Sequence, residues 1–137
     1  MNFKNILKLT CCIFIFTLTS CSSDDDQIVV NDTSSITDKW YYDTNEFAAD
    51  IYFNSNGTYQ QRTEAIGMVF ESFGDWSWLD EENGLMKIDN VTGQSQVASE
   101  LWFQFTNIQE NTVTIEQSLD GNTYFAPVDY QDTDPAN

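Results

Sequence analysis

The side chains able to do chemistry are few in kind: three cysteines, four tryptophans and a surplus of carboxylates, with no histidine. Lacking histidine removes imidazole acid–base catalysis, serine–histidine and cysteine–histidine nucleophile pairs, and imidazole metal ligands together. One arginine and two lysines beyond residue 20 (Arg62, Lys39, Lys87) leave little for phosphate handling. The run Asp80-Glu81-Glu82 offers oxygen ligands of the kind calcium takes. It lacks the alternating spacing and glycine placement of an EF-hand loop, and reads as a solvated turn. No carboxylate pair stands out as a glycosidase acid and nucleophile. No catalytic residue, cofactor or metal is therefore expected, and the chain reads as a non-enzyme. Trp40, Trp76, Trp78 and Trp102 are the candidate ligand-binding residues, since indole combines a large apolar surface with an N–H donor. Trp76 and Trp78 alternate with polar neighbours, so core packing is the competing use for them.

The cysteines define the second chemistry. Lys4 and Lys8 precede an apolar stretch from Leu9 to Leu18, the pattern of a secretory signal peptide. The stretch is too short to span a bilayer, which needs roughly 20 apolar residues. It ends in Leu18-Thr19-Ser20-Cys21. This tetrad resembles the lipobox of bacterial lipoproteins. The resemblance implies lipid transfer to the Cys21 thiol, cleavage before it and acylation of the new amino end. Each buried CH₂ contributes about 0.8 kcal/mol, so two or more chains anchor stably. Cys11 and Cys12 would leave with residues 1–20, so no disulfide is expected within the remainder.

Residues 22–35 are polar and acidic apart from Ile28-Val29-Val30, and read as a flexible linker. Fully extended they would reach about 45 Å at roughly 3.3 Å per residue. Ser22-Ser23 followed by Asp24-Asp25-Asp26 resembles the acidic export signal of surface lipoproteins in Bacteroidetes-type bacteria, and implies an outer-membrane protein displayed at the cell surface. After Ser20 three basic residues face 22 acids. A surface of that sign repels nucleic acid and anionic headgroups. Membrane contact is thus expected through lipid on Cys21, and nucleic acid is not an expected partner.

The remaining residues must position the tryptophans without disulfides. No helix-length apolar period occurs; short stretches alternate with period 2, separated by Asn, Asp and Gly. Phe47, Ala49, Ile51 and Phe53 share one face, with Asp50 and Tyr52 on the other. Asn56-Gly57 is a hairpin signal. Tyr59, Gln61 and Thr63 then share a face. Val69–Leu79 is longer, with Gly74 marking a bulge or bend. Leu85–Asp89 follows, then a polar stretch at 90–99 that reads as a loop. Leu101, Phe103 and Phe105 alternate cleanly. Val113, Ile115 and Gln117 follow, and a last strand lies near Tyr124–Tyr130. With Lys39–Asp43 counted first, the chain is all-β, with about eight short antiparallel strands. An up-and-down barrel or a flattened, sandwich-like barrel accommodates them; a Greek-key sandwich stays open as an alternative.

Lys39-Trp40, Phe53-Asn54-Ser55-Asn56-Gly57-Thr58-Tyr59 and Gly74-Asp75-Trp76-Ser77-Trp78, in that order, resemble the lipocalin-like domains of Bacteroidetes lipoproteins. The sequence departs at Asp38, where the first motif has glycine. The resemblance covers most of residues 36–118. It implies a calyx-like antiparallel barrel and no catalytic residues. The expected organisation is a signal peptide at 1–20, a lipidated cysteine and flexible acidic linker at 21–35, a lipocalin-like barrel at 36–130 and a polar tail at 131–137. Two uses of the barrel are expected: a pocket for a small apolar ligand, or a filled interior whose outer face meets another envelope protein. Cys21→Ala should release the protein from the membrane fraction with its fold unchanged; a variant that still sediments with outer membranes contradicts the lipid anchor.

Overall fold

Period-2 alternation sends every second side chain to one face, and a sheet built that way can close around its apolar face. The computed structural model describes residues 33–45 and 47–134. The expected signal peptide, Cys21 and the linker up to residue 32 lie outside the described residues, as do residues 135–137 of the tail. Eight strands follow: β1 (Trp40–Asp43), β2 (Asp50–Phe53), β3 (Thr58–Ala65), β4 (Met68–Asp80), β5 (Leu85–Gly93), β6 (Leu101–Ile108), β7 (Thr112–Ser118) and β8 (Val128–Gln131). Each is antiparallel to its sequence neighbours, and β8 pairs with β1 through Tyr42 with Gln131 and Asp43 with Tyr130, closing the barrel. The order is up-and-down throughout, which excludes the Greek-key alternative.

The inward face is apolar and aromatic. Phe53 sits at its centre, with ring centroids of Tyr59, Trp76, Phe103 and Phe105 between 5.6 and 6.2 Å away. Met86, Ile88, Leu101 and Val113 complete the fill, all essentially without exposure. One end is stopped by a 3₁₀ turn, Thr33–Ile36, whose Ile36 is fully buried. That turn straddles the expected border between linker and barrel. Gln131 and Asp132 of the expected tail also belong to the body: Gln131 ends β8, and Asp132 pairs with Lys39 at 3.4 Å.

Four local outcomes differ from the alternation pattern. The strand expected from Phe47 begins only at Asp50, and Phe47 is 94% exposed instead of inward. The Asp43 carboxylate accepts the N–H groups of Asn45, Phe47 and Ala48, and this turns the chain where the pattern extends it. Thr63 is exposed because β2 pairs with β3 only up to Arg62, so the β3–β4 hairpin projects past its neighbour. Residues 90–93 continue β5 instead of opening the loop. The bulge expected at Gly74 has its extra residue across from it, in β5: Asn90 takes φ 55°, and Val91 re-enters the core with 1% exposure. Finally, the last strand starts at Val128; Tyr124 makes only an isolated bridge to Ser118. Pro127 has no N–H to give a ladder there.

Two turns show where left-handed backbone is needed. At Asn56-Gly57 only Gly57 has positive φ (90°). The two-residue turn with both central residues at positive φ is Ile66-Gly67 instead, at 57° and 69°. Asp38, standing where the lipocalin-like motif has glycine, also takes positive φ (62°), and its carboxylate accepts the Ser55 N–H at 2.9 Å. Left-handed backbone costs a β-branched residue roughly 1–2 kcal/mol and asparagine less. Ile66 is 95% exposed and gains no packing in return. Ile66→Asn should therefore raise stability by about 1 kcal/mol in urea unfolding. Phe53→Ala should lower it by about 3–5 kcal/mol; a loss under about 1 kcal/mol would show a loosely packed interior.

Candidate functional site

The four tryptophans occupy three separate settings. Trp76 and Trp78 point inward and pack against the core in a T-shaped pair, centroids 6.3 Å apart. The Trp76 indole N–H donates to the Asn54 carbonyl at 2.9 Å, and Trp78 lies 5.3 Å from Phe105. Trp40 points outward from β1 beside Tyr52, at 5.4 Å. Trp102 points outward from β6, beneath the Lys87 ammonium at 5.2 Å and close against Gly121. The structure thus brings Trp76 and Trp78 together as core and leaves Trp40 and Trp102 apart from them.

At the end opposite the 3₁₀ turn, the interior holds a polar chain. The Tyr59 hydroxyl donates to Gln61 Oε1 at 2.9 Å; Gln61 Nε2 donates to the Ser95 carbonyl at 2.8 Å; Ser95 Oγ donates to Ser72 Oγ at 3.0 Å. Burial, then the neighbouring Tyr130, raises the Tyr59 phenol well above its ordinary range. It stays a neutral donor. Among the described residues, every buried side-chain nitrogen and oxygen has a partner. An interior binding site would need a polar group left to orient its ligand. This interior has spent them all on its own closure.

Asp43 is the one carboxylate among the described residues classed as buried, at 3% exposure. Burial alone would raise its pKa, but the N–H groups of Ala48, Asn45 and Phe47 outweigh that and hold it below the usual value. Its oxygens are committed to the β1–β2 loop, which they fasten. The expected acidic turn behaves similarly. Asp80 accepts the N–H and side-chain amide of Asn83 at 3.1 and 2.8 Å, and Glu81 accepts the Thr33 hydroxyl.

The outer face carries the open ground. Trp40, Tyr52, Gln60, Phe73 and Thr92 are successive cross-strand neighbours on β1 to β5. At one end of this row the Arg62 guanidinium stacks 4.5 Å above Trp40 and pairs with Asp50 at 3.0 Å. At the other, where a bulge in β5 lies opposite Gly74, a groove of about 470 Å³ is lined by Tyr52, Gln60, Phe73, Asp75, Asn90 and Thr92. A second groove, about 560 Å³, lies between the β1–β2 loop and the projecting hairpin, with Phe47, Ile66, Val69 and Arg62 on its walls. The row was legible in part: Tyr52 is outward by the same alternation that turns Ile51 and Phe53 inward. Phe73 carries the same signal, an aromatic residue in an outward slot opposite Trp76 and Trp78.

No family model matches the chain, and neither curated proteins nor solved structures give a match. Fold and site together define an eight-stranded up-and-down antiparallel β-barrel with an aromatic interior and an aromatic outer row.

The Asp43 arrangement fixes a pH dependence. A carboxyl whose folded pKa lies below its unfolded value of about 3.9 adds stability above that pH and loses it as pH falls through the folded pKa. Asp43→Asn should cost about 1–3 kcal/mol at pH 7, since the amide presents a donor to backbone donors. Measured against the parent, the difference should shrink below about pH 4. A gap that is constant down to pH 2 would contradict the role given to the carboxylate.

Proposed function

We propose that the protein is a non-enzymatic lipoprotein, held by lipid on Cys21 at the outer membrane and displayed at the cell surface, which binds its partner on the outside of a filled lipocalin-like barrel. The observation that carries this is the contrast between the two faces of the same strands. Inside, rings pack around Phe53 and the polar groups are mutually satisfied. Outside, Phe73 is 49% exposed in a row of aromatic and amide side chains over a groove. Of the two uses the sequence leaves open, this supports the filled barrel over a small apolar ligand held within. The rigid strands beneath the row favour it over the second groove, because sites on regular elements are positioned more tightly than sites on loops. The acidic surface fits a partner that is neither nucleic acid nor an anionic lipid headgroup.

Two measurements bear on this reading. A neutral apolar dye, N-phenyl-1-naphthylamine, should show no saturable fluorescence with the purified protein; saturable binding that survives Phe73→Ala would place a ligand inside. A photoreactive phenylalanine at position 73 should give adducts on intact cells, while the same group at Trp102 should not. Adducts from neither position, or from 102 alone, would contradict the outer-face site.

A further inference from the structure

We infer that the outer groove at Tyr52, Gln60 and Phe73 binds a neutral, linear oligosaccharide. This rests on the reading of the outer face as the working surface. It adds the chemistry of what is bound.

The strands fix the spacing. Tyr52 pairs with Gln60, and Gln60 with Phe73, so the two rings stand two strands apart on one row. Neighbouring strands lie about 4.8 Å apart, which separates the rings by roughly 10 Å. That matches the advance of two linked hexose units, so one chain can lie across both rings. A bulge shifts the β4–β5 register between Phe73 and Asp75, with its extra residue in β5 opposite Gly74, and the groove lies along this stretch.

The lining then selects the ligand. A sugar ring has an apolar C–H face and a rim of hydroxyls, each both donor and acceptor. The groove offers aromatic faces from Tyr52 and Phe73, and a border of amides and hydroxyls from Asn54, Gln60, Asn90 and Thr92. The Asp75 carboxylate of the groove and the Glu71 carboxylate beside it are already engaged by amides: Asn90 Nδ2 donates to Asp75 at 2.9 Å, and Gln60 Nε2 to Glu71 at 3.0 Å. An anion meets the net charge of −17 and those carboxylates. A purely apolar ligand would strip water from the amide border without replacing its hydrogen bonds. The side chains of a basic peptide bring donors only, and meet Arg62 already stacked on Trp40 and paired with Asp50 at the end of the row. A neutral polyol avoids all three penalties.

The test titrates the full chain, in zwitterionic detergent, with cellohexaose, maltohexaose, mannohexaose and laminarihexaose by calorimetry. At least one should bind saturably. Phe73→Leu, which keeps bulk and removes the ring, should weaken binding about tenfold or more, as should Tyr52→Ala, while Tyr52→Phe and Trp102→Ala should not. Unchanged thermal melting of the variants separates lost contact from lost fold. No saturable heat with any of the four sugars overturns the sugar assignment. If position 73 still gives adducts on cells, the outer-face reading survives that result. Sugar binding indifferent to Tyr52 and Phe73 but lost with Trp102→Ala overturns both.

Discussion

Everything in this fold depends on the ring cluster around Phe53 inside a closed barrel. The described residues hold no cysteine, so no disulfide can carry the load. Ion pairs such as Arg62–Asp50 and Lys87–Asp89 are partly solvated and worth little each. Apolar burial must supply the stability. Phe53 touches rings from β3, β4 and β6, so one side chain ties three strands to β2. The short strands β1 and β2, four residues each, hold because Tyr41, Ile51 and Phe53 reach the shared interior.

A filled interior has a functional consequence. Small barrels either pack their lumen with side chains or leave room for one ligand. Here Ile36 stops one end and the Tyr59–Gln61–Ser95–Ser72 chain occupies the other. In the function we propose, recognition falls to the outside of the wall, where strand register sets the spacing of exposed groups as it does in the core. Trp40, Tyr52 and Phe73 are arranged by the pairing that arranges Tyr41, Ile51 and Phe53.

The legible parts of the fold were those governed by period-2 burial. Leu101, Phe103 and Phe105 read as one inward face and are one. Strand number and antiparallel order follow from the same signal, and the irregularity facing Gly74 from the glycine itself. What escaped was decided by single side chains acting on the backbone. Asp43 captures three N–H groups and cuts β2 short, and nothing in the alternation of Phe47, Ala49 and Ile51 announces it. Asn90 in left-handed backbone shifts the phase, so Val91 returns to the core from a stretch that reads as polar loop. The Asn56-Gly57 signal does mark the β2–β3 hairpin, but the turn with both central residues at positive φ is the β3–β4 one at Ile66-Gly67, where isoleucine gives no such signal. For the candidate site, residue type left two uses open: Trp76 and Trp78 take the core packing that their alternation with polar neighbours offers, while Trp40 and Trp102 point outward. The exposed row on Tyr52 and Phe73 was visible only as aromatic residues in outward slots.

We propose a solid barrel that works from its surface. Xenon enters dry apolar cavities of engineered proteins and reports empty space directly. Crystals of this protein held under xenon pressure should show no xenon among Phe53, Tyr59, Phe103 and Phe105. A well-occupied xenon atom between those rings would contradict the account, and would return the interior to consideration as the binding site.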